Sequence, residues 1–287
     1  MSKDAFLGID MGATNIRAGI VVDKQLLVCH SIAVSRDGSA QDILEQIYGL
    51  VEKFSMYSFN GIGVGVPSVV DEKNGIVYDV QNLPAWKEVH LKELLETRFS
   101  TSVFVNNDAN CFALGEKHFG KGREVENLVG LSIGSGLGAG LIINGRLYSG
   151  KNCGAGEVGM LSYKDGVMEE FCSGQFFEKF YNVNGKKAFQ LATIGDEKAL
   201  DMYTQFGGHL AKALENIIYA YDPDMIIIGG ALKNAFPFYQ QSMYDGLKNF
   251  PYTKTINTLK IHISETENIA VLGAAALVLN SIHKISS

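Results

Sequence analysis

The chain has 287 residues, 46% hydrophobic and 20% charged, with a net charge of −6. That size and balance predict an ordinary soluble protein whose core is large enough for two domains of ~100–200 residues each. The acidic balance argues against a nucleic-acid or polybasic membrane role, and no apolar run approaches the ~20 residues needed to span a bilayer.

The four cysteines, Cys29, Cys111, Cys153 and Cys172, form no C-x-x-C pair. Neither a disulfide framework nor a zinc ribbon is expected from them, and free thiols in a reducing, cytoplasmic setting fit best. The first four residues lead into an apolar run without the stretch that marks a secretory signal.

In chain order, residues 5–10, 16–22 and 26–34 read as strands, the last two joined by a turn at Asp23, Lys24 and Gln25. The first strand ends at Asp10, and a turn of Gly12, Ala13, Thr14 and Asn15 follows. Gly12 and Ala13 let backbone N–H groups approach an anion, Thr14 and Asn15 add polar donors, and Asp10 offers a carboxylate for hydrated Mg²⁺. These are the parts needed to hold a nucleoside triphosphate. Apolar residues at Ile43, Leu44, Ile47, Leu50, Val51 and Phe54 predict a helix over 41–54. Residues 61–66 form a strand stopped by Pro67, and 67–90, with Pro84 and the only tryptophan, Trp86, read as a long irregular loop. A short helix over 89–99 and a strand over 103–105 lead to Asn106, Asn107, Asp108 and Asn110. A helix over 109–119 follows, with Asn107 or Asp108 as its N-cap.

The second half repeats the plan of apolar strand, Gly-rich turn and strand. A strand over 128–133 enters a turn containing Gly134, Ser135, Gly136 and Gly138, and Asn144-Gly145 predicts a type I′ hairpin. Helices are expected over 170–182 and, longest of all, 199–221, with Leu200, Tyr203, Phe206, Leu210, Leu214, Ile217 and Tyr221 on one stripe. A buried strand over 225–228 runs into Gly229 and Gly230. A strand over 259–263 and a closing helix over 271–279 complete the chain. The two Gly-rich turns are expected to face each other across a cleft.

Several blocks, in order, resemble the ROK family of sugar kinases within the actin/hexokinase/Hsp70 ATPase superfamily. They are Gly8 to Thr14, the Gly63–Pro67 and Asn82–Trp86 loops, Asn106 to Asn110 with Ala113 to Glu116, Ser132 to Gly138, Gly154 to Gly159, Ile228 to Gly230 and Leu272 to Ala275. The resemblance implies an α/β fold of two ribonuclease-H-like, actin-like ATPase domains with an interdomain cleft. One domain would cover 1–114 and the other 115–287, with the last helix packing back on the first. It implies ATP and Mg²⁺ as phosphoryl donor and metal, a homodimer, and transfer to the 6-hydroxyl of a hexose, glucose or allose being favoured. Asp108 would orient the hydroxyl and collect its proton. Asp10 would hold Mg²⁺ through water, and Gly229 and Gly230 would form the adenosine motif. Gly65, Asn82, Asn107, Asp108, Glu157 and Glu169 would face the sugar, and Trp86 either supports an apolar sugar face or simply packs.

Most relatives carry a histidine and a cysteine cluster that bind a structural zinc. Here Met160 takes the histidine position and residues 161–168 contain neither Cys nor His. No structural zinc is expected, since Cys172 alone cannot build a tetrahedral site, and Met160 is expected to pack in the space of the missing loop. The other readings are a fructokinase or N-acetylmannosamine kinase of the same family and a non-catalytic sugar-responsive regulator. A family repressor would carry a DNA-binding segment ahead of the first strand.

Overall fold

The computed structural model describes residues 5–12, 14–36, 38–80 and 83–285. The chain divides into two units. One gathers Met1–Glu124, Gly140–Ala155 and Glu265–Ser287, and the other Val125–Ala139 and Gly156–Ser264. The chain therefore passes between units after residues 124, 139, 155 and 264, and no single boundary describes it.

In the first unit, β1 (Ala5–Met11), β2 (Asn15–Val22) and β3 (Gln25–Ala33) form an antiparallel meander. Helix α1 (Ala40–Glu52) begins at Ser39, whose hydroxyl accepts from Asp42 N while Asp42 accepts from Ser39 N, two orphan donors satisfied reciprocally. Its apolar stripe, Ile43, Leu44, Ile47, Leu50 and Val51, is buried. Strand β4 (Ile62–Val66) then pairs parallel to β1. Residues 67–90 are not one irregular loop. They build a small antiparallel sheet from β5 (Val69–Asp71), β6 (Ile76–Tyr78) and β7 (Glu88–Val89). Strands of two or three residues show no periodicity that a sequence reading can use. Helix α2 (Leu91–Phe99), β8 (Val103–Asn107) and α3 (Asp108–His118) follow, and β8 completes the sheet order β3-β2-β1-β4-β8.

The second sheet starts with β9 (Leu128–Ile133) and β10 (Leu137–Ile143), which turns through Asn144 and Gly145 into β11 (Arg146–Leu147). Both turn residues have φ > 0, at 51° and 74°, as the predicted type I′ turn requires. A 3₁₀ turn (Val158–Met160), β12 (Ser162–Tyr163), β13 (Gly166–Val167) and α4 (Met168–Cys172) come next. The helix expected over 170–182 is broken: Ser173 is extended (φ −135°, ψ −172°), and α5 (Gln175–Tyr181) starts anew. Helix α6 (Gly185–Thr193), which the sequence reading missed, is capped by Asn184. Helix α7 (Glu197–Tyr221) is capped by Asp196, and its stripe is buried at Tyr203, Phe206, Leu210, Leu214 and Ile217. Strand β14 (Met225–Gly229) pairs parallel to β9. Helices α8 (Phe236–Leu247) and α9 (Thr253–Thr258), also missed, precede β15 (Lys260–Ile263). The last helix, α10 (Ile269–Ile285), returns to the first unit.

Helix α10 lies on β1, β4 and α3 with backbone against backbone. A Cβ on Gly8 would sit 2.0 Å from Val271 O, and one on Gly63 1.7 Å from Ala274 O. On the helix itself, a Cβ on Gly273 would sit 1.7 Å from Cys111 O in α3. Replacing glycine inside a helix by alanine ordinarily favours the helix by up to ~1 kcal/mol. Here the rigid carbonyl must move instead, so Gly273→Ala is expected to lower stability by about 1–3 kcal/mol or more, read as a fall in the denaturation midpoint at unchanged m-value.

Candidate active site

In the first unit the site follows from strand register. Asp10 on β1 pairs with Gly65 on β4, and Gly65 with Asn106 on β8. With neighbouring strands about 4.8 Å apart, the backbones of Asp10 and Asn106 lie roughly 10 Å apart on one sheet edge. Asp108, two residues on, opens α3, where a carboxylate is favoured by the helix dipole. Beneath Gly65 runs Cys111, whose Sγ would lie 3.0 Å from a Cβ there. Burial, then the charges of Asp108 and Asp10, push the Cys111 thiol well up, so both carboxylates act on one point and the thiol stays protonated.

Asp10 is buried, and Arg17 on β2 donates to its Oδ2 through Nη2 (2.6 Å) and Nε (3.1 Å). Burial raises the Asp10 carboxyl above the usual carboxylate range, and the Arg17 guanidinium pulls it back. Both bonds fall on Oδ2, and no donor to Oδ1 is found among the described residues, so that oxygen remains available to a hydrated cation. The donor set thus fits Mg²⁺ held through water.

The strand end before Asp108 is locked by amides. Asn107 caps α3, accepting from Ala109 N (2.9 Å) and Asn110 N (3.4 Å), and donates to Ser68 O (3.3 Å). Asn106 Oδ1 accepts from Asn110 Nδ2 (2.9 Å), and Asn106 Nδ2 donates to Ser149 Oγ (3.1 Å). Asn106 and Asn110 are fully buried; these bonds engage both amide nitrogens and Asn106 Oδ1, while Asn110 Oδ1 has no partner among the described residues. In the first turn Gly12 N donates to Asn15 O (2.9 Å), and Asn15 Nδ2 donates to Thr14 Oγ1 (3.1 Å), with both side chains exposed. Ala13 and Asn82, expected in the phosphate and sugar sites, lie outside the described residues.

In the second unit the turn over residues 134–138 has an unequal hydrogen-bond pattern. Gly134 O accepts from Gly174 N (2.7 Å), Ser135 O from Ser173 Oγ (3.2 Å), and Gly136 O from Gly134 N (2.9 Å). The N–H groups of Ser135 and Gly136 donate to no group among the described residues. Spare backbone N–H groups beside satisfied carbonyls are the kind of donor that an anion-binding loop uses. Gly138 lies within β10. At the end of β14, Gly229 is buried and Gly230 takes φ 77° within 2.3 Å, for an added Cβ, of Ile133 O, a position only glycine fills without strain.

Glu157 and Glu169 share this unit. Burial, then the charge of Glu169, raise the Glu157 carboxyl above the usual range. The two carboxylates therefore feel one another electrostatically. Glu169 also has a partner no sequence argument named: its Oε2 accepts from Leu137 N (2.8 Å).

One open alternative is decided and one expectation is corrected. Trp86 is fully buried in the first unit's core, with Nε1 donating to Ala40 O (3.4 Å), so it packs and offers no face to a sugar. Met160 is 49% exposed and fills no gap. The segment behind it is held instead by aromatic packing. Phe171 meets Tyr163 and His209 edge to face, and Tyr163 Oη lies 3.0 Å from His209 Nδ1. Among the described residues no group of three or more His, Cys, Asp and Glu side chains is gathered as a metal-ligand set, and no helix is long and apolar enough to cross a membrane.

Sequence reasoning missed Arg17, Ser149, Ser173 and Gln175. Arg17 was findable, since in a tight hairpin the residue seven beyond Asp10 faces it directly. Ser149 and Ser173 act across 43 and 38 residues, and Gln175 reaches Ser135 across 40 although its bond to Glu169 spans only six.

The ROK family profile matches residues 6–281. The N-acetyl-D-glucosamine kinase of Vibrio cholerae is 32% identical over 265 residues, 82% of this chain and 87% of that protein. The glucokinase of Thermotoga maritima is 27% identical, covering 98% of this chain and 99% of that one. The crystal structure of a ROK hexokinase from Thermus thermophilus superposes with a TM-score of 0.84 at 23% identity, over 98% of this chain and 99% of that chain, which shows the two-domain actin-like ATPase fold.

The raised Glu157 carboxyl has a pH signature. The folded state keeps a proton that the unfolded chain releases, so this group's stabilising contribution is complete below the unfolded value and is lost as pH rises through the folded one. Glu157→Gln is expected to flatten that part of the stability profile. Denaturant midpoints of both proteins, measured from pH 4 to 7, check it: parallel profiles would contradict the assignment.

Proposed function

This chain belongs to the ROK family, and from that premise we propose that it is an ATP-dependent sugar kinase acting on the 6-hydroxyl of a hexose. The observation that carries the reading is the register that sets Asp10, Gly65 and Asn106 side by side with Asp108 immediately beyond. Phosphoryl transfer needs little covalent chemistry from a protein, and positioning with electrostatic stabilisation supplies the rest. Asp108 orients the sugar hydroxyl and takes its proton late in the transfer. Gly12, Thr14 and Asn15 in one unit and Gly134, Ser135, Gly136 and Gly138 in the other offer donors and bare backbone to the phosphates. Gly229 and Gly230 leave room for adenosine. Held at Asp10 through water, Mg²⁺ would neutralise charge on the phosphates.

For the sugar, Gly65, Asn107, Asp108 and Glu157 supply small surface, amide and carboxylate. Acceptors of this kind discriminate strongly once a bound sugar covers them, because a sugar lacking the matching hydroxyl leaves them unpaired. The relatives' names point to glucose and N-acetyl-D-glucosamine, which share every ring configuration and differ at C2. We therefore place the gluco configuration ahead of allose, fructose, mannose and N-acetylmannosamine.

Two measurements test this. A coupled assay with ATP and Mg²⁺ over those six sugars is expected to give the highest kcat/KM on glucose or N-acetylglucosamine. Sugar-dependent heat stabilisation with no turnover on any of them would favour the regulator instead. Asp108→Asn is expected to lower kcat by about 10²–10⁴ while sugar affinity and fold persist. A kcat within tenfold of the parent, a barrier change of only ~1.4 kcal/mol, would remove Asp108 from that role.

A further inference from the structure

Resting on the reading that residues 134–138 receive ATP phosphates, we propose that Glu169 and Gln175 are positioning residues: a carboxylate–amide clamp that holds this loop with its N–H groups outward and so sets nucleotide affinity.

The clamp is built from both side chains. Glu169 Oε2 accepts from Leu137 N (2.8 Å), and Glu169 Oε1 accepts from Gln175 Nε2 (2.7 Å). The same Gln175 amide reaches Ser135 O (3.4 Å), beside the stronger bond from Ser173 Oγ (3.2 Å). Gly136 is bare because an added Cβ would stand 2.6 Å from Glu169 Oε2. The carboxylate thus occupies the volume a side chain at 136 would take. Between them the two residues grip the loop at Ser135 O, in the same peptide as the Gly136 N–H, and at Leu137 N, in the next peptide.

That grip matters because a Gly-rich loop has an alternative. Glycine at 134 and 136 lets the intervening peptides rotate at little cost, and one rotation exchanges a donor for a carbonyl. A carbonyl pointing at phosphate repels it, where an N–H attracts it. Bonds that hold Ser135 O and Leu137 N resist that rotation, so the donors are in place before the ligand arrives. Such preorganisation raises affinity by removing the ordering cost from binding.

The clamp also explains the break between α4 and α5. Extended Ser173 sends its hydroxyl to Ser135 O, and Gly174 N reaches Gly134 O, so a continuous helix over 170–182 would lose both contacts. The resemblance had made Glu169 a sugar ligand, a role that predicts an effect on sugar alone. The clamp predicts an effect on nucleotide, shared by Gln175.

The experiment compares the parent protein with Gln175→Leu, Glu169→Gln and the double variant. Affinity for a non-hydrolysable ATP analogue is measured by calorimetry, and KM for ATP and for sugar by the coupled assay, after thermal melts establish that each variant is folded. Gln175→Leu is expected to weaken analogue binding and raise KM for ATP about tenfold, with KM for sugar within twofold. The double variant is expected to be no worse than the weaker-binding single, since both remove one clamp. Unchanged analogue affinity in folded Gln175→Leu overturns the clamp, as does a rise confined to KM for sugar in Glu169→Gln. If the parent binds the analogue but turns over no sugar, the kinase reading falls, and the analogue affinities alone decide for or against the clamp. If the parent binds no analogue, the nucleotide site and the clamp fall together.

Discussion

The tightest constraint in the first unit is the contact of α10 with what lies beneath it. At Gly8, Gly63 and Gly273 no β-carbon separates the helix from the sheet or from α3. The closeness fixes two heights at once. It sets the level of β1 and β4, whose ends carry Asp10 and Gly65, and the level of α3, whose first residue is Asp108. A close-packed interior transmits a displacement instead of absorbing it, so an ångström gained under α3 would be passed to the carboxylate at its tip. Residues far from the chemistry in sequence thereby set its geometry.

The two units build their candidate sites differently. In the first, side-chain amides do the work: Asn106, Asn107 and Asn110 tie a strand end to a helix start, and Arg17 anchors the buried Asp10. In the second, backbone does it, with carbonyls bonded and N–H groups left over. Amides and peptide groups carry no net charge, which suits an acidic protein whose ligand would itself be anionic. The positive counterpart is local and directional, so the overall charge never had to change sign.

Much of this was legible in the sequence because it is written in short-range patterns. The strands of both large sheets follow apolar runs bounded by turn residues, and the hairpin at Asn144-Gly145 follows from a dipeptide that accepts φ > 0. The strand-end positions of Asp10 and Asp108 could be inferred from where those runs stop. The rest depends on distant partners. Strands β5, β6 and β7 exist because they pair with one another, and alone they are too short to show a period. Ser173 interrupts a good helical pattern because its hydroxyl bonds a carbonyl 38 positions earlier. Trp86 sat in a polar, Pro-containing stretch, yet it is buried, since its indole lies under Ala40. In each case tertiary context decided what local preference left open.

The placement of α10 has one more consequence, for the order in which the protein can be built. A ribosome releases the sheet that needs this helix more than 150 residues before the helix itself. Until then Phe6, Val21 and the bare glycine faces of β1 and β4 have no cover. The second unit lies wholly within residues 125–264, so its segments are all available before the first can close. The nascent chain thus carries a finished half and an open one, and the open half exposes the apolar, backbone-rich surface that invites association between chains. Its safety during synthesis is a matter of timing, of how fast the final 23 residues follow.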